Sequence, residues 1–218
     1  PFGLNYVSFY GGGFAYGSNN SMVDLDNDGD FDMMTGTGNG IFYYVENTGS
    51  ASSPSFGSAV MFPFSLTSIG GANHLSFVDF DNDGDFDLMA GAFDGKFHYF
   101  ENIGTASTPN FAAEVVNPYG LTDVGQVSAP AMIDLDNDGD LDLVVGNLIG
   151  SFHLFDGEGK GRFTSLSTPI MAGSEPLRIA SGGSDPFLID WDGDGDLDIV
   201  SGSKKGGVQW SENKGTRE

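Results

Sequence analysis

A chain of 218 residues, 39% hydrophobic and 13% aromatic, has the apolar material for a substantial core, which excludes an acidic disordered tail despite a formal net charge of −23. Twenty of its 31 acidic residues lie in four short loops, and the other 11 face 8 Lys and Arg, so the body is near neutral and offers nucleic acid no basic footprint. Without cysteine there is no disulfide framework or thiolate metal site, and no apolar run approaches the ~20 residues that span a bilayer.

The chain opens on "PFGLNY", without Met or a signal peptide, as a trimmed secreted precursor or an excised fragment would. Next comes "YGGGFAYG" (10–17), an insertion that breaks the repeat described below. Insertions in repeat proteins map to one face, often the binding face, so Tyr10, Phe14 and Tyr16 are candidate contacts for a ligand or partner. Asn19-Asn20-Ser21 is an N-glycosylation sequon, relevant only in a eukaryotic secretory pathway.

The first acidic loop follows in "VDLDNDGDFDMM", and it recurs as "VDFDNDGDFDLM", "IDLDNDGDLDLV" and "IDWDGDGDLDIV". The leading aspartates, Asp24, Asp79, Asp134 and Asp190, are 55, 55 and 56 residues apart. Each loop is entered from a short apolar run such as "PAMID" (130–134) and left through one such as "LDLVVGN" (141–147). An aromatic segment comes third: "IFYYVEN", "KFHYFEN", "SFHLFDG" and "GVQWSEN". A variable stretch around "FAAEVV" (111–116) comes fourth. Val, Ile, Phe and Tyr fill these runs, and 34 glycines with Asn and Asp divide them. Four short strands per ~55-residue unit predict an all-β chain, a β-propeller of four four-stranded blades forming a single domain over 1–218. The start and end of the chain are expected to share the closing blade. Laid on the second repeat, about ten residues of that blade's outer strand are missing, to be supplied by a longer chain or another subunit, or absent.

The acidic loops pose an electrostatic problem. Two carboxylates about 5 Å apart repel by roughly 3 kcal/mol at an effective dielectric near 20, so several such pairs in one loop call for a shared cation. The candidate metal residues are Asp24, Asp26, Asp28, Asp30 and Asp32 in the loop 24–32, and Asp79, Asp81, Asp83, Asp85 and Asp87 in 79–87. Asp134, Asp136, Asp138, Asp140 and Asp142 stand in 134–142, and Asp190, Asp192, Asp194, Asp196 and Asp198 in 190–198. Side chains at positions 1, 3 and 5 can turn inward, glycine at 6 permits a sharp turn, position 7 can offer its carbonyl, and position 9 closes the shell. That donor set suits calcium, which takes six to eight oxygens, better than magnesium with its tight, water-retaining shell. Four ions, one per repeat, are expected. An EF-hand would need Glu at position 12, where Thr35, Ala90, Val145 and Ser201 stand, and flanking helices. A transition metal would call for His or Cys, which the loops lack.

The run "APAMIDLDNDGDLDLVVGN", then "GSFHLF", with "YFENIGTASTPNF" from the repeat before, resembles the FG-GAP/VCBS repeat family, the calcium-loop propeller repeats also found in the integrin α-subunit head. The resemblance covers essentially the whole chain. It implies a propeller with one calcium per loop, held by aspartates at positions 1, 3, 5 and 9 and the carbonyl at 7, on an extracellular or periplasmic protein. Family propellers commonly have seven blades, and four repeats are present here.

Other residues receive plainer readings. His98 and His153 share a repeat position with Tyr43 and Gln209 and read as blade-packing residues; His74 precedes a loop strand. Trp191 stands where Leu25, Phe80 and Leu135 stand, and Trp210 where Tyr44, Tyr99 and Leu154 stand, so both are expected in the core. No G-x-S-x-G, H-E-x-x-H or phosphate-cradling glycine loop appears, so no enzyme is expected. The expected function is a calcium-stabilised extracellular module for binding, adhesion or assembly, with a protein or carbohydrate ligand, self-association also being possible. Its rivals are a polysaccharide lyase or hydrolase on a propeller scaffold, and a structural subunit that polymerises through its incomplete closing blade.

Overall fold

The computed structural model describes residues 19–71, 74–135, 138–159, 162–164, 168–172 and 174–214. Among them the regular structure is antiparallel β-strand, with two short 3₁₀ turns. The first sheet runs β1 (Asn19–Val23), β2 (Asp32–Gly36), β3 (Phe42–Val45) and β4 (Val60–Met61), in that spatial order. The second repeats it with β5 (His74–Val78), β6 (Asp87–Gly91), β7 (Phe97–Phe100) and β8 (Val115–Val116). The third is β9 (Ala129–Ile133), β10 (Asp142–Gly146), β11 (Phe152–Phe155) and β12 (Thr168–Pro169). A small ribbon of β13 (Met171–Ala172) and β14 (Glu175–Pro176) follows. The fourth sheet has three strands: β15 (Asp185–Ile189), β16 (Asp198–Gly202) and β17 (Val208–Ser211).

Each acidic loop joins the first two strands of its sheet, so the register carries position 9 to the start of the second strand. Val23 pairs with Asp32, Val78 with Asp87, Ile133 with Asp142 and Ile189 with Asp198. The second strand is covered on both faces, which is why "DLMAG" and "DLVVG" are buried throughout instead of alternating.

The chain divides into two compact units, residues 1–93 with 98–116, and residues 94–97 with 117–218. In the first, Val23, Leu25, Met34, Phe42 and Tyr44 of the first sheet share a core with Leu75, Leu88 and Phe100 of the second, Phe42 meeting Phe100 edge-on at 5.8 Å. In the second, Val144 and Phe152 pack with Ile199, joined by Leu135, Leu154 and Leu188.

The linkers bind to the hairpins they cross. Ile69 N–H bonds to Gly40 O, Val124 N–H to Gly95 O, and Ile179 N–H to Gly150 O. A Cβ on Gly40, Gly95 or Gly150 would collide with the backbone carbonyl of Ile69, Gly125 or Ile179. On the way the linkers make tight turns at Pro63–Ser65 and Pro118–Gly120, with Phe64 (φ 52°) and Tyr119 (φ 57°) left-handed. Bulky residues there cost on the order of 1–3 kcal/mol. Phe64 offsets this by stacking edge-on between Tyr44 (4.9 Å) and Phe111 (6.5 Å).

Two expectations need correction. The strand expected over 111–116 shrinks to Val115–Val116 plus an isolated bridge at Phe111, because the Asn102 amide oxygen accepts from Gly104 and Asn110 N–H and curls the segment before it. Trp191 and Trp210, expected in the core, are 63% and 46% exposed. Leu25 and Tyr44, at the same repeat positions, are covered by the second sheet, whereas no following sheet covers the fourth among the described residues.

Candidate metal centres

Aspartate at position 1 organises each loop from its own side chain. Asp24 accepts from Asp28 N–H (3.1 Å) and Gly29 N–H (3.0 Å), one per carboxylate oxygen. Asp79, Asp134 and Asp190 repeat the pair with Asp83 and Gly84, Asp138 and Gly139, and Asp194 and Gly195. Position 5 then accepts from the N–H of position 7, as Asp28 does from Asp30 at 3.1 Å. This winding needs left-handed backbone at position 6, where Gly29, Gly84, Gly139 and Gly195 have φ of 96°, 97°, 95° and 100°. Position 4 is left-handed too, at Asn27 (58°), Asn82 (63°) and Gly193 (82°), all residue types that tolerate it.

The consequence is convergence of like charge. Carboxylate oxygens of Asp24, Asp26 and Asp28 lie within 4.8 Å of one another, as do those of Asp79, Asp81 and Asp83, and of Asp190, Asp192 and Asp194. In the third loop Asp134, Asp138, Asp140 and Asp142 are described, while Asp136 lies outside the described residues. Beside these clusters, Asp26 Oδ1, Asp30 Oδ1 and Asp85 Oδ1 are buried without a hydrogen-bond partner. Asp30 and Asp85, at position 7, are only 6% and 8% exposed. Burial is the largest cause raising the Asp26 carboxyl, followed by the charges of Asp32 and Asp28. Asp30 and Asp85 are raised by burial and then by the carboxylates at positions 5, 3 and 1 of their loops, against a smaller lowering from the side chains of Asn47 and Asn102. Asp192 is raised as well, first by burial. A buried carboxylate oxygen without a proton donor is costly, and a cation among these oxygens removes that cost. The residues therefore fit a hard metal ion.

Position 9 also anchors the loop to the sheet. Asp32 is buried, and its Oδ1 accepts from Asn47 N–H (2.8 Å) while Oδ2 accepts from Leu25 N–H (3.3 Å) and the Tyr44 hydroxyl (2.7 Å). Asp87 is held by Asn102 and Phe80 N–H and the Tyr99 hydroxyl, and Asp198 by Asn213 and Trp191 N–H and the Trp210 indole N–H. Asp142 accepts from Gly157 and Leu135 N–H, and Leu154, at the aromatic position, has no polar group to add. Position 9 thus ties the loop's entry to the third strand's exit. Burial outweighs the three hydrogen bonds at Asp87 and pushes it up to about 6. Asp32 is raised for the same reason. At Asp198 the Asn213 N–H outweighs burial and holds the carboxyl below its ordinary value.

This clamp lies outside the loop motif itself. Tyr44, Tyr99 and Trp210 lie 12 residues after their aspartate, and Asn47, Asn102 and Asn213 lie 15 after. Those two fixed separations were its available signal. The remaining candidates do not join the loops. His98 is buried with Nδ1 2.9 Å from Glu114 Oε1. His153 is half-buried, 3.4 Å from the Asn147 amide, and held low by burial and then by Arg178. His74 Nδ1 lies 3.2 Å from the Asn19 amide nitrogen, which places the sequon in a strand with its acceptor nitrogen engaged. Tyr10, Phe14 and Tyr16 lie outside the described residues.

Successive antiparallel sheets, each with a carboxylate-lined loop between its first two strands, define an all-β repeat protein whose loops can hold metal ions. The FG-GAP-like repeat matches residues 24–90, 79–145 and 134–201, and the chain belongs to that family. These repeats point to a β-propeller-like binding module of a typically extracellular kind. Comparison with curated proteins finds no match. No helix among the described residues is long and apolar enough to cross a membrane.

Proposed function

We propose that this chain is a calcium-stabilised β-propeller segment that works outside the cell as a binding or adhesion module for a protein or carbohydrate ligand, without catalysis. The observation that carries the metal part is the set of buried, partnerless oxygens on Asp26, Asp30 and Asp85 beside carboxylates crowded within 4.8 Å. In each loop the aspartates at positions 1, 3, 5 and 9 would hold the ion, with the carboxylate at position 7 close by. The ion would supply positive charge and a rigid oxygen shell, fixing the corner between two strands. Position 1 already holds the loop backbone and position 9 anchors it to the sheet, so the ion meets a preshaped site.

Because that site exists only in the folded loop, ion binding is folding energy. At calcium 100-fold above its dissociation constant, each occupied site adds about 2.7 kcal/mol. Calorimetric scans with calcium and with EGTA are expected to differ by many degrees in midpoint, and calcium titration to give about four sites. Superimposed scans would end the proposal.

A further inference from the structure

We propose that Asn102, and Asn47 in the first repeat, are positioning residues of the metal loops, coupling an ion in the loop to the turn that follows the third strand. The inference rests on the metal reading and gives a role to residues outside the loop motif.

Asn102 is buried and holds the loop and the turn at once. Its backbone N–H donates to Asp87 Oδ1 (2.7 Å), and its Oδ1 accepts from Gly104 N–H (3.0 Å) and Asn110 N–H (2.9 Å). Between those two donors the chain forms a narrow ribbon, in which Ile103 N–H bonds to Asn110 O and Thr105 pairs with Thr108. Asn47 is placed in the same way, holding Asp32 by its N–H and taking Gly49 and Ser55 N–H on its Oδ1.

One group of Asn102 is left over. Its Nδ2 is buried without an acceptor, and Asp85 Oδ1, in the loop that Asn102 already holds, is buried without a donor. The two are within electrostatic reach, since the Asn102 side chain opposes the rise that burial imposes on Asp85. Asn47 stands in that relation to Asp30. A buried amide without an acceptor and a buried carboxylate without a donor both destabilise, and one contact between them removes both costs. With positions 1, 3, 5 and 9 committed to an ion, the carboxylate at position 7 is left to the amide. Asn102 then joins loop and turn through its whole side chain.

The third repeat supplies the contrast. Gly157 stands at the place of Asn102, and its N–H still holds Asp142, but it has no side chain to reach a turn. A Cβ there would strike the Leu141 carbonyl. The turn beyond it closes through backbone bonds, from Glu158 N–H to Arg162 O and from Thr164 N–H to Asp156 O. Asp140, at position 7, is half-buried where Asp30 and Asp85 are buried. In the fourth repeat the Asn213 Nδ2 donates instead to Leu197 O (3.3 Å).

Hydrogen exchange read by mass spectrometry on the whole chain tests the coupling, with calcium and with EGTA, below the midpoint found in EGTA. At calcium 100-fold above its dissociation constant, openings that release the ion become about 100-fold rarer. Exchange is therefore expected to slow strongly in the loop 79–87 and also in the turn 103–110. The stretch 158–163, behind Gly157, is expected to gain less than 103–110, a comparison that needs no mutation. Asn102→Asp keeps an acceptor for Gly104 and Asn110 N–H but loses the Nδ2 donor. It is expected to leave exchange of 103–110 in EGTA unchanged, to retain calcium's effect on 79–87 and to lose it on 103–110. A residue that only shapes the turn would not separate the two segments in this way. Slowing in 79–87 with none in 103–110 of the wild type overturns the proposal. So does an equal gain in 158–163, or a turn that still responds to calcium in Asn102→Asp. No effect of calcium on 79–87 would instead remove the metal reading itself.

Discussion

At the scale of single residues, the five aspartates of a loop are chemically identical and structurally divided. Position 1 also holds backbone N–H groups and position 9 also anchors the sheet, while Asp85 Oδ1 at position 7 is buried without a hydrogen-bond partner. Asp85→Asn tests that division. With EGTA present the substitution removes a buried charge pushed up by burial and by Asp83, Asp81 and Asp79, so the thermal midpoint is expected to rise. With calcium present the same substitution weakens the oxygen cluster, so the increment that calcium gives is expected to shrink. Both readings come from one pair of melting curves. A uniform shift of both would show that the Asp85 carboxylate does not face the ion.

At the scale of elements, the repeat period, the strands flanking each loop and the aromatic third strand were all legible in the sequence, because alternation and turn residues act locally. The outer strand was not. "FAAEVV" has strand composition, but Asn102 draws the preceding backbone into a turn, a choice made by one amide side chain. Nor was the exposure of Trp191 and Trp210 legible, since aligning repeats assumes that every sheet has a neighbour. The loops' metal-type clusters followed from spacing, whereas the role of position 9 depended on partners 12 and 15 residues away. The hairpin glycines allow a direct test of the neighbour argument. Gly95 (φ 84°) and Gly206 (φ 79°) share a backbone conformation but differ in cover. Alanine at Gly206 is expected to cost only the conformational penalty, about 1–2 kcal/mol. Alanine at Gly95 adds a collision with the Gly125 carbonyl and should cost measurably more in denaturant titration. Equal costs would mean that the linker does not press on the hairpin.

At the scale of the whole molecule, the acidic loops set how stability responds to pH, and the sign depends on the ion. Without metal, Asp26, Asp30, Asp32, Asp85 and Asp192 bind protons more tightly in the folded state than in the unfolded chain, and Asp87 titrates near 6. A raised carboxyl contributes stability that is complete below its unfolded value near 3.9 and disappears as pH climbs through the folded value. Acidifying the EGTA-treated protein from about pH 7 to about pH 4.5 is therefore expected to raise its thermal midpoint, since Asp87 and its neighbours take up protons where they fold. Asp198, held low, acts in the opposite direction, but below about pH 4, outside that window. With calcium saturating, protons compete with the ion for the same oxygens, so acidification is expected to lower the midpoint. The formal net charge of −23 relaxes on acidification in both conditions, so the difference between the two curves isolates the loops. Curves that cross as pH falls would identify the clusters as metal sites. Curves that run parallel would leave them as solvated acidic turns.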